Sequence, residues 1–226
     1  MQKSGNLTPH LSNEYDSQIG NTIPYYDLFH KETINLIESM DIKPNVWLDT
    51  GCGTGTFVEK ALQEFSDTSF ILTDPSTEML NMTNKKLKGY MGRIEFLEPM
   101  PSQEISISGM DVITAIQSHH YLSKNERYKA TKACYDSLNE NGIYVTFENI
   151  RPFTEKGTEI GKEYWKRFQI SKGKSVEEAE NHIKRFGVEY FPITIEEHLS
   201  LLRNCGFNVV EMFWYSYMQA GFYCIK

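Results

Sequence analysis

The sequence predicts an α/β protein built on a doubly wound, largely parallel sheet, and three observations support that prediction. Residues 46–48 form a short apolar run with the length and bulk of a strand that is buried on both faces. Glycines follow at every second position, and the apolar periodicity of residues 57–65 indicates a helix directly after them. A second apolar run, residues 69–73, ends in Asp74. Strand, glycine turn, helix and strand in this order form a nucleotide-type βαβ unit.

The rest of the chain continues the alternation of strands and helices. Further strands are expected at residues 93–97, 110–116, 143–147, 208–218 and 221–225, the last two as an antiparallel return. Helices are expected at residues 24–40, after the capping box Ser123-x-x-Glu126 as far as Asn141-Gly142, at residues 158–170 and 175–186, and from the box Thr194-x-x-Glu197 to Gly206. Residues 1–22 are polar and without periodicity, which predicts a loose arm or a lid segment.

Composition restricts the class of protein. The chain has 226 residues, 40% of them hydrophobic and 23% charged, which suits one globular domain. The formal net charge of -7 argues against a nucleic-acid backbone as partner, because such binding needs a basic surface. No apolar run approaches the roughly 18 residues of a membrane span, and the N-terminus lacks the hydrophobic stretch of a signal peptide. Four dispersed cysteines predict reduced thiols, no zinc site and a cytoplasmic location.

The spacing of the glycines separates three known types of loop. A phosphate-binding P-loop needs a Lys followed by Ser or Thr after its last glycine, whereas Gly55 is followed by Thr56 and an aromatic residue. A dinucleotide loop places its third glycine three positions after the second, and that position is Thr56. Both types are excluded. The observed pattern, Asp49-x-Gly51-x-Gly53-x-Gly55, resembles motif I of the class I S-adenosylmethionine (SAM) dependent methyltransferases.

This resemblance implies a Rossmann-like, seven-stranded sheet with an antiparallel last strand and an N-terminal helical lid. The chain is expected to depart from the family pattern by a helical insertion after the fifth strand. The resemblance also implies SAM as the cofactor and S-adenosylhomocysteine as its product. The glycine loop would lie against the methionine half of SAM, with Asp49 holding the loop and facing the amino group of the cofactor. Cys52 lies within this loop and is a further expected cofactor contact. The alternative is a glycine-rich turn that binds nothing.

Asp74 gives a second prediction, because it ends the second strand about 20 residues after the loop. An acidic residue at this position binds the ribose hydroxyls of a nucleotide, although Asp74 could instead only cap the next helix. The Asp-x-Ser-x-x-Met pattern is similarly placed in methyltransferases, which puts Pro75 and Met79 near the adenine. After the third strand, the acceptor for the adenine amino group is left open between Glu98 and Met100.

The carboxyl end of the fourth strand carries the candidate catalytic residues. Ligands of open α/β sheets lie outside the strand ends where the sheet order reverses, so Ile116 and Gln117 are expected beside the cofactor. His119 and His120 follow, and this pair resembles the same loop of small-molecule and quinone-type methyltransferases. Either histidine is a candidate general base, and His120 is also a candidate substrate contact. Alternatively, one histidine bonds the backbone and neither acts as a base.

Aromatic residues near the N-terminus are expected to contact the substrate. In small-molecule methyltransferases a similar N-terminal helix folds over the mouth of the site, and here that helix would carry Tyr25 and Tyr26. Tyr15 precedes it in the polar arm and is a further candidate. The alternative is an amphipathic helix whose tyrosines only join the core.

The fifth strand and the segment after it supply the remaining candidates. Asn149 and Arg151 close the strand, and Arg151 either clamps a substrate carboxylate or pairs with Glu148. A class I core normally reaches its next helix sooner, so residues 151–193 are interpreted as an inserted substrate cap with Trp165 facing inward. A helical pair without substrate contact is the alternative. The expected domains are an arm and lid helix (1–45), a SAM-binding core (46–150 and 194–226) and the cap (151–193).

The resemblance implies a methyltransferase that moves the methyl group of SAM to a small molecule by direct displacement. The last third of the chain, with its Cys-Gly-Phe and aromatic strand, is also similar to the carboxy-SAM synthases, in which Arg151 would bind the added carboxylate. A protein that binds SAM without turnover is a further alternative. The expected partner is a small molecule, without metal, nucleic acid or membrane, and assembly as a homodimer is left open.

Overall fold

The computed structural model describes residues 14–40 and 42–226, and these residues form one seven-stranded sheet. Its strands are β1 (Val46–Thr50), β2 (Ser69–Thr73), β3 (Ile94–Phe96), β4 (Met110–Ile116), β5 (Leu138–Asn149), β6 (Val209–Ser216) and β7 (Gln219–Ile225). They lie in the order β3-β2-β1-β4-β5-β7-β6. Strands β1 to β5 pair in parallel, and β7 is antiparallel to β5 and β6. The predicted Rossmann-like sheet with an antiparallel last strand is confirmed.

Eight helices flank this sheet in the described part of the chain. They are α1 (Tyr15–Thr22), α2 (Tyr26–Ser39), α3 (Thr56–Glu64), α4 (Thr77–Lys86), α5 (Lys124–Ser137), α6 (Glu155–Ser171), α7 (Val176–Lys184) and α8 (Ile195–Asn204). The capping boxes expected at Ser123, Ser175 and Thr194 are all present, so side chains satisfy free N–H groups at the starts of α5, α7 and α8. Among these helices none is long and apolar enough to cross a bilayer.

The two faces of the central strand belong to two different apolar layers. On one face, Trp47 stacks on Phe70 with ring centroids 5.5 Å apart, and its Nε1 donates to Thr114 Oγ1 at 3.0 Å. On the other face, Leu48 joins a second cluster that includes Phe222 of β7. Successive side chains of a strand point to opposite faces, so β1 is buried on both sides, as its continuous apolar sequence predicts.

The structure corrects two expectations about local structure. Residues 15–22, expected to be part of a loose arm or a lid segment without periodicity, form the helix α1, whose Ile19 and Thr22 are buried. The remainder of the expected arm, residues 1–13, lies outside the described residues. Helix α5 ends at Ser137 rather than at Asn141-Gly142, because Leu138 already pairs with Met110 of β4. Asn141 has a φ of 62° and lies in an irregular part of β5.

The two ends of the segment between β5 and α8 lie next to each other at the edge of the core. Ile150 bridges to Ile193, and the backbone N–H of Arg151 donates to the carbonyl oxygen of Ile193 at 2.9 Å. Between these two points lie α6 and α7. Trp165 of α6 is fully buried, and its Nε1 donates to the carbonyl oxygen of Thr22 at 2.7 Å. The inserted segment therefore packs against α1 and not on the sheet alone.

Candidate cofactor and substrate cleft

A cleft opens at the carboxyl edge of the sheet, between β1 and β4. The strand order reverses there, since β2 and β3 lie on one side of β1 whereas β4 lies on the other. Residues that follow β1, β2 and β4 all reach this edge because parallel strands end together. Helices α1 and α2 contribute the rest of the lining. The cleft thus occupies the position at which open α/β sheets bind ligands.

The three glycines of the loop after β1 have different surroundings. All three have positive φ, the left-handed region that glycine occupies without strain. A Cβ on Gly51 would lie 2.7 Å from Ser118 Cβ, and one on Gly55 would lie 2.6 Å from Thr83 Cγ2. A Cβ on Gly53 would meet nothing within 4 Å, and Gly53 lines the cleft. Two glycines are therefore required by packing, whereas the middle one exposes its backbone to the cleft.

Asp74 connects this loop to the start of α4. Its Oδ2 accepts from the backbone N–H of Gly53 at 3.0 Å, and its Oδ1 accepts from that of Ser76 at 2.8 Å. Burial raises the pKa of Asp74, and these two hydrogen bonds oppose the increase. A carboxylate has about four acceptor positions, so two remain for a ligand. The two interpretations of Asp74, ribose acceptor and helix-start residue, are compatible with each other.

Asp49 is the penultimate residue of β1 and lines the cleft. Its side chain is 3% exposed, and its Oδ1 accepts a 2.5 Å hydrogen bond from Thr114 Oγ1. Burial raises the pKa of Asp49 to about 7, the hydrogen bond from Thr114 acts against this, and the nearby charge of Asp74 adds to it. A cation placed beside this carboxyl group would favour its ionised form.

Aromatic side chains from the two N-terminal helices cover the cleft. Tyr15 of α1 and Tyr26 of α2 both line it, and their hydroxyl oxygens are 3.4 Å apart. Tyr121, from the segment between β4 and α5, lines it as well. Burial raises the pKa of all three phenols. These walls are consequently aromatic and uncharged at neutral pH.

His30 of α2 is the histidine that reaches the cleft. Its Nδ1 lies 3.4 Å from Lys60 Nζ. A lysine ammonium can only donate, so Nδ1 is the acceptor and the proton of the neutral ring is assigned to Nε2. Burial, with the charge of Lys60, lowers the pKa of His30 to about 3. His30 is therefore a neutral ring at physiological pH.

His119 and His120, the candidate catalytic residues, lie behind the cleft and do not line it. Both are buried, and the backbone N–H groups of both donate to the carboxylate of Glu148, at 3.1 and 2.7 Å. The Nδ1 of His120 is 2.9 Å from Glu148 Oε2, and Thr146 Oγ1 donates to Oε1 at 2.9 Å. Burial opposes ionisation, but the hydrogen bond and charge of His120 outweigh it and lower the pKa of Glu148 to about 2.

The remaining contacts of the two histidines are also within the protein. Tyr144 Oη is 3.2 Å from His119 Nδ1, and burial lowers the pKa of His119 to about 4. Arg127 Nε donates to the carbonyl oxygen of His119 at 3.1 Å, and its Nη2 donates to that of Phe191 at 2.5 Å. The loop after β4 is therefore fixed from below by Glu148 and from the side by Arg127.

Most of the predicted cofactor residues line the cleft, whereas most of the predicted substrate residues do not. The cofactor candidates in the lining are Asp49, Gly51, Cys52, Gly53, Asp74, Pro75, Met79, Ile116 and Gln117, and the substrate candidates there are Tyr15 and Tyr26. Gly55, Glu98 and Met100 lie outside it. The carbonyl oxygens of Glu98 and Met100 instead accept weak contacts from Thr73 Oγ1, at 3.4 and 3.5 Å.

The other substrate candidates are engaged elsewhere. Tyr25 is 53% exposed and packs near Tyr217, outside the cleft. Asn149 Oδ1 accepts from Gln219 Nε2 at 3.2 Å. Arg151 forms an ion pair with Glu197 at 3.0 Å. It does not pair with Glu148, the partner that one interpretation of the sequence expected. Trp165 faces inward, as expected, but towards α1.

Several residues of the lining were not found from sequence. They are His30, Thr54, Thr56, Phe57, Ser76, Pro101, Ser102, Ser118, Tyr121 and Leu122. Thr54 and Thr56 alternate with the glycines, so their position in the motif was an available signal. His30 had a weaker signal, since it lies one turn after Tyr26 on the same helix and shares its face.

Comparison with known proteins connects this cleft to methyltransferases. A family model described as a methyltransferase domain matches residues 48–144. The carboxy-S-adenosyl-L-methionine synthase of Nautilia profundicola is 26% identical over 220 residues, which cover 94% of this chain and 90% of that protein. The protein of the same name from Campylobacter curvus is 28% identical over 200 residues, covering 87% of this chain and 84% of that protein.

Solved structures share the fold at lower identity. The SAM-dependent methyltransferase SibL has a TM-score of 0.64 at 12% identity, with 95% of this chain and 56% of SibL covered. Human N-acetylserotonin methyltransferase in complex with SAM has a TM-score of 0.60 at 12% identity, covering 95% of this chain and 58% of that one. The [4+2]-cyclase SpnF has a TM-score of 0.60 at 17% identity, covering 80% and 59%. This chain thus spans little more than half of these structures, which share its fold.

Proposed function

We propose that this chain is a class I SAM-dependent methyltransferase, because a methyltransferase-domain model matches residues 48–144 and solved methyltransferases share its fold. On this proposal its cleft binds SAM and directs the methyl group of that cofactor to a small-molecule acceptor. The observation that carries the proposal is the pair of buried carboxyl groups, Asp49 and Asp74, on either side of the open backbone at Gly53. Two acids and a bare loop suit a cationic amino acid joined to a ribose. They do not suit a phosphate, which needs donors and positive charge.

The residues of the cleft fit SAM in three respects. The space beside Gly53 allows the cofactor to contact the main chain, since even a Cβ there would stand in the open. Asp49 is placed to accept from the amino group of the cofactor, and Asp74 retains acceptor positions for the ribose hydroxyls. The side-chain Nε2 of Gln117 and Oγ of Ser118 are buried without a hydrogen-bond partner in the described structure, and both residues line the cleft.

The protein's part in the reaction is to orient the two reactants and exclude water. SAM supplies a methyl group on a sulfonium that is already a good leaving group. Tyr15, Tyr26 and Tyr121 cover the cleft with apolar rings, which removes solvent from the reacting atoms. The loop that carries Gln117 is fixed by Glu148, so the floor of the site is held in one position.

Apart from Asp49 and Asp74, which we assign to the cofactor, the lining offers little general-base capacity. His30 is neutral, but the acceptor nitrogen of its ring is directed at Lys60, and the phenols are too weakly acidic to ionise at neutral pH. A strong base is needed only when the acceptor must lose a proton before it attacks. The site therefore favours an acceptor that already presents a lone pair, such as an amine or a thiolate, bound between aromatic rings.

Binding and turnover of SAM test this proposal. Calorimetric titration of the purified protein with SAM should give saturable binding, whereas NADH and ATP should give none. Incubation with SAM and a small-molecule extract should convert SAM to S-adenosylhomocysteine, which mass spectrometry detects. Binding without this product under any acceptor fraction would refute methyl transfer and leave the non-catalytic alternative or carboxy-SAM synthesis. Binding of NADH in place of SAM would refute the assignment.

A second candidate function is carboxy-SAM synthesis, which the names of the similar curated proteins favour. Such an enzyme has to hold an added carboxylate, and that role needs a cation. Among the described residues that line the cleft there is no lysine or arginine. Arg151 pairs with Glu197 and its side chain is 42% exposed. Arg185 also has a partner, Glu189 at 2.6 Å, but it is only 13% exposed and lies 5.9 Å from the ring of Tyr190. Arg185 is consequently the better candidate for that role.

The identity of the cofactor recovered from cells separates the two functions. A carboxy-SAM synthase purified without added ligand should retain a cofactor heavier than SAM by one carboxyl group, visible by mass spectrometry. Its retention should fall in Arg185→Ala and persist in Arg151→Ala. A methyltransferase should instead retain SAM or S-adenosylhomocysteine in wild type and in both variants.

A further inference from the structure

Helix α1 is attached to the glycine loop by four polar side chains, Asp16, Thr54, Thr56 and Lys86, which we call the Asp16 cluster. Asp16 Oδ1 accepts from Thr54 Oγ1 at 2.5 Å and from Thr56 Oγ1 at 3.0 Å. Its Oδ2 accepts from Lys86 Nζ at 2.7 Å, and Lys86 also donates to Thr56 Oγ1 at 2.5 Å. One carboxylate therefore joins α1, the loop after β1, the start of α3 and the end of α4.

The position of the cluster makes it relevant to the cleft. Thr54 and Thr56 line the cleft on either side of Gly55, whereas Asp16 does not line it and acts on it through them. The neighbouring residue, Tyr15, does line it. Thr56 is also the first residue of α3, where a negative charge is favourable because the helix N-terminus carries partial positive charge. The same helical turn thus fastens the loop and places a ring over the site.

The opposite end of α1 is attached to the inserted segment. Thr22, the last residue of the helix, accepts from Trp165 Nε1 through its carbonyl oxygen at 2.7 Å and from Lys174 Nζ through its Oγ1 at 2.5 Å. Both partners belong to the segment between β5 and α8. Helix α1 is therefore held at one end by the cofactor loop and at the other by the insertion.

The charge state of Asp16 supports a persistent contact. Burial tends to raise its pKa, but the hydrogen bonds from Lys86 and Thr54 outweigh this and the pKa falls below its ordinary value. The carboxylate is thus ionised at neutral pH. Its side chain is 43% exposed and that of Lys86 is 21% exposed, so salt in the solvent will weaken the pair.

We propose that Asp16 is a positioning residue for cofactor retention: through Thr54, Thr56 and Lys86 it keeps α1 and Tyr15 closed over the cleft. This inference rests on the proposed SAM binding. Without the carboxylate, α1 loses its attachment to the glycine loop but keeps its contacts with Trp165 through Thr22 and with Tyr26 through Tyr15. The end of α1 that carries Tyr15 is then held less firmly, and bound SAM can leave past it. The role concerns release of the cofactor more than its first encounter with the protein.

A surface ion pair between neighbouring helices gives a matched control. Asp27 of α2 pairs with Lys60 of α3 at 3.1 Å, and Asp27 is 85% exposed. This pair also joins an N-terminal helix to α3, but Asp27 contacts neither the glycine loop nor the cleft. Asp16→Asn and Asp27→Asn therefore remove the same charge with different expected consequences.

The experiment measures the dissociation rate and the affinity of SAM in wild type, Asp16→Asn, Lys86→Met, the double variant and Asp27→Asn. Asp16→Asn should release SAM about tenfold faster, the scale of one hydrogen-bonded charge, with little change in association rate. Lys86→Met should act in the same direction. The double variant should be no worse than Asp16→Asn, because both changes break one cluster. Asp16→Glu should recover most of the retention, and Asp27→Asn should stay within about twofold of wild type.

Hydrogen exchange of the backbone amides of α1, without SAM, provides an independent measurement. These amides should exchange faster in Asp16→Asn and Lys86→Met than in wild type and Asp27→Asn. Unchanged SAM release in Asp16→Asn and Lys86→Met, or independent addition of their effects, would overturn the role of Asp16 while leaving SAM binding intact. Should wild type not bind SAM, the proposed function fails, and unchanged exchange in α1 would then overturn the attachment as well.

Discussion

The two halves of the cleft edge use acidic residues in opposite ways. On the side of β1 and β2, Asp49 and Asp74 line the cleft, and burial raises the pKa of each carboxyl group. On the side of β4 and β5, Glu148 lies beneath the loop and accepts hydrogen bonds from four donor groups. Burial opposes its ionisation, but the side-chain hydrogen bond and charge of His120 outweigh burial and lower the pKa of Glu148 to about 2. The carboxylates of the first half keep acceptor positions for a ligand, whereas the acceptor positions of Glu148 in the second half are occupied by donors within the protein.

This difference explains why Asp49 and Asp74 are better candidates for ligand binding than His119 and His120. A buried acid that keeps unused acceptor positions and a raised pKa is ready for a cation or a donor from outside. A buried acid with all of its bonds made holds a loop in place. We therefore propose that the β1–β2 half is the binding surface and that the β4–β5 half is the support that gives the floor of the cleft its shape.

Loss of Glu148 should have the largest effect, and it should appear as stability. Replacing Glu148 with Ala removes the acceptor of four hydrogen bonds and leaves His120 without its carboxylate, so the free energy of unfolding should fall by about 3–5 kcal/mol. Chemical denaturation measures this. A stability within 1 kcal/mol of wild type would contradict the supporting role given to the β4–β5 half.

The same region predicts a specific response to acid. The pKa of Glu148 is depressed, so the stability it contributes is fully present above its unfolded value of about 4.3 and is lost as the pH falls towards about 2. His119 is held neutral, with a pKa lowered to about 4, so its contribution is present above about 6.5 and is lost as the pH falls towards 4. In Glu148→Gln the loss below about pH 4.3 should be smaller than in wild type.

Loss of Asp74 should have the next largest effect, and it should appear as cofactor affinity. Asp74→Ala removes the acceptor for Gly53 and Ser76 as well as the expected ribose contact, so SAM should bind about a hundredfold more weakly. Calorimetric titration measures this loss. Asp74→Asn keeps one acceptor oxygen and should lie between wild type and the alanine variant. Equal affinity in all three proteins would remove Asp74 from the site.

Asp49 should couple SAM binding to a proton. Its pKa of about 7 leaves it about half protonated at neutral pH, and the amino group of the cofactor should drive it to the ionised form. About half a proton should therefore be released on binding at pH 7, measurable by calorimetry in buffers of different ionisation enthalpy. Affinity should decline as the pH falls below 7. Asp49→Asn should abolish the proton release, and persistence of that release would identify another group.

The smallest expected effects compare equivalent helix caps in the two halves. Ser76 Oγ accepts from the N–H of Met79 at the start of α4, and Ser123 Oγ accepts from that of Glu126 at the start of α5. Each Ser→Ala change should lower stability by about 1 kcal/mol. Only Ser76→Ala should also weaken SAM binding, because Ser76 lines the cleft. Thermal unfolding with and without SAM separates the two quantities, and equal SAM affinities would contradict the comparison.

The sequence predicted the structure best where a feature depends only on residues that are close together in the chain. The succession of strands and helices along the chain and the capping boxes follow from periodicity and end signals, which are properties of short stretches. The sheet with its antiparallel last strand was instead implied by the resemblance to methyltransferases. The glycine spacing located the loop but not the separate surroundings of Gly51, Gly53 and Gly55. Those surroundings depend on Ser118 and Thr83, which approach from the loop after β4 and from α4.

The substrate side was harder to predict because its residues are brought together by tertiary contacts. His119 and His120 lie at the correct edge of the sheet, but their side chains turn below it towards Tyr144 and Glu148. Arg151 is close to β5 in sequence, yet its charge is paired with α8. No pattern within a single stretch reports which way such a side chain turns. The helix α1 was missed because it has low amphipathicity and is stabilised by distant partners such as Trp165.

The hydrogen bond between Trp165 and Thr22 joins positions 143 residues apart, and both lie outside the matched methyltransferase domain of residues 48–144. If segments were exchanged between related proteins in order to change the acceptor, this hydrogen bond would have to be preserved. Grafting the insertion alone would leave the indole of Trp165 facing a foreign first helix. The smallest transplantable unit for reprogramming this enzyme is therefore the first helix together with the insertion.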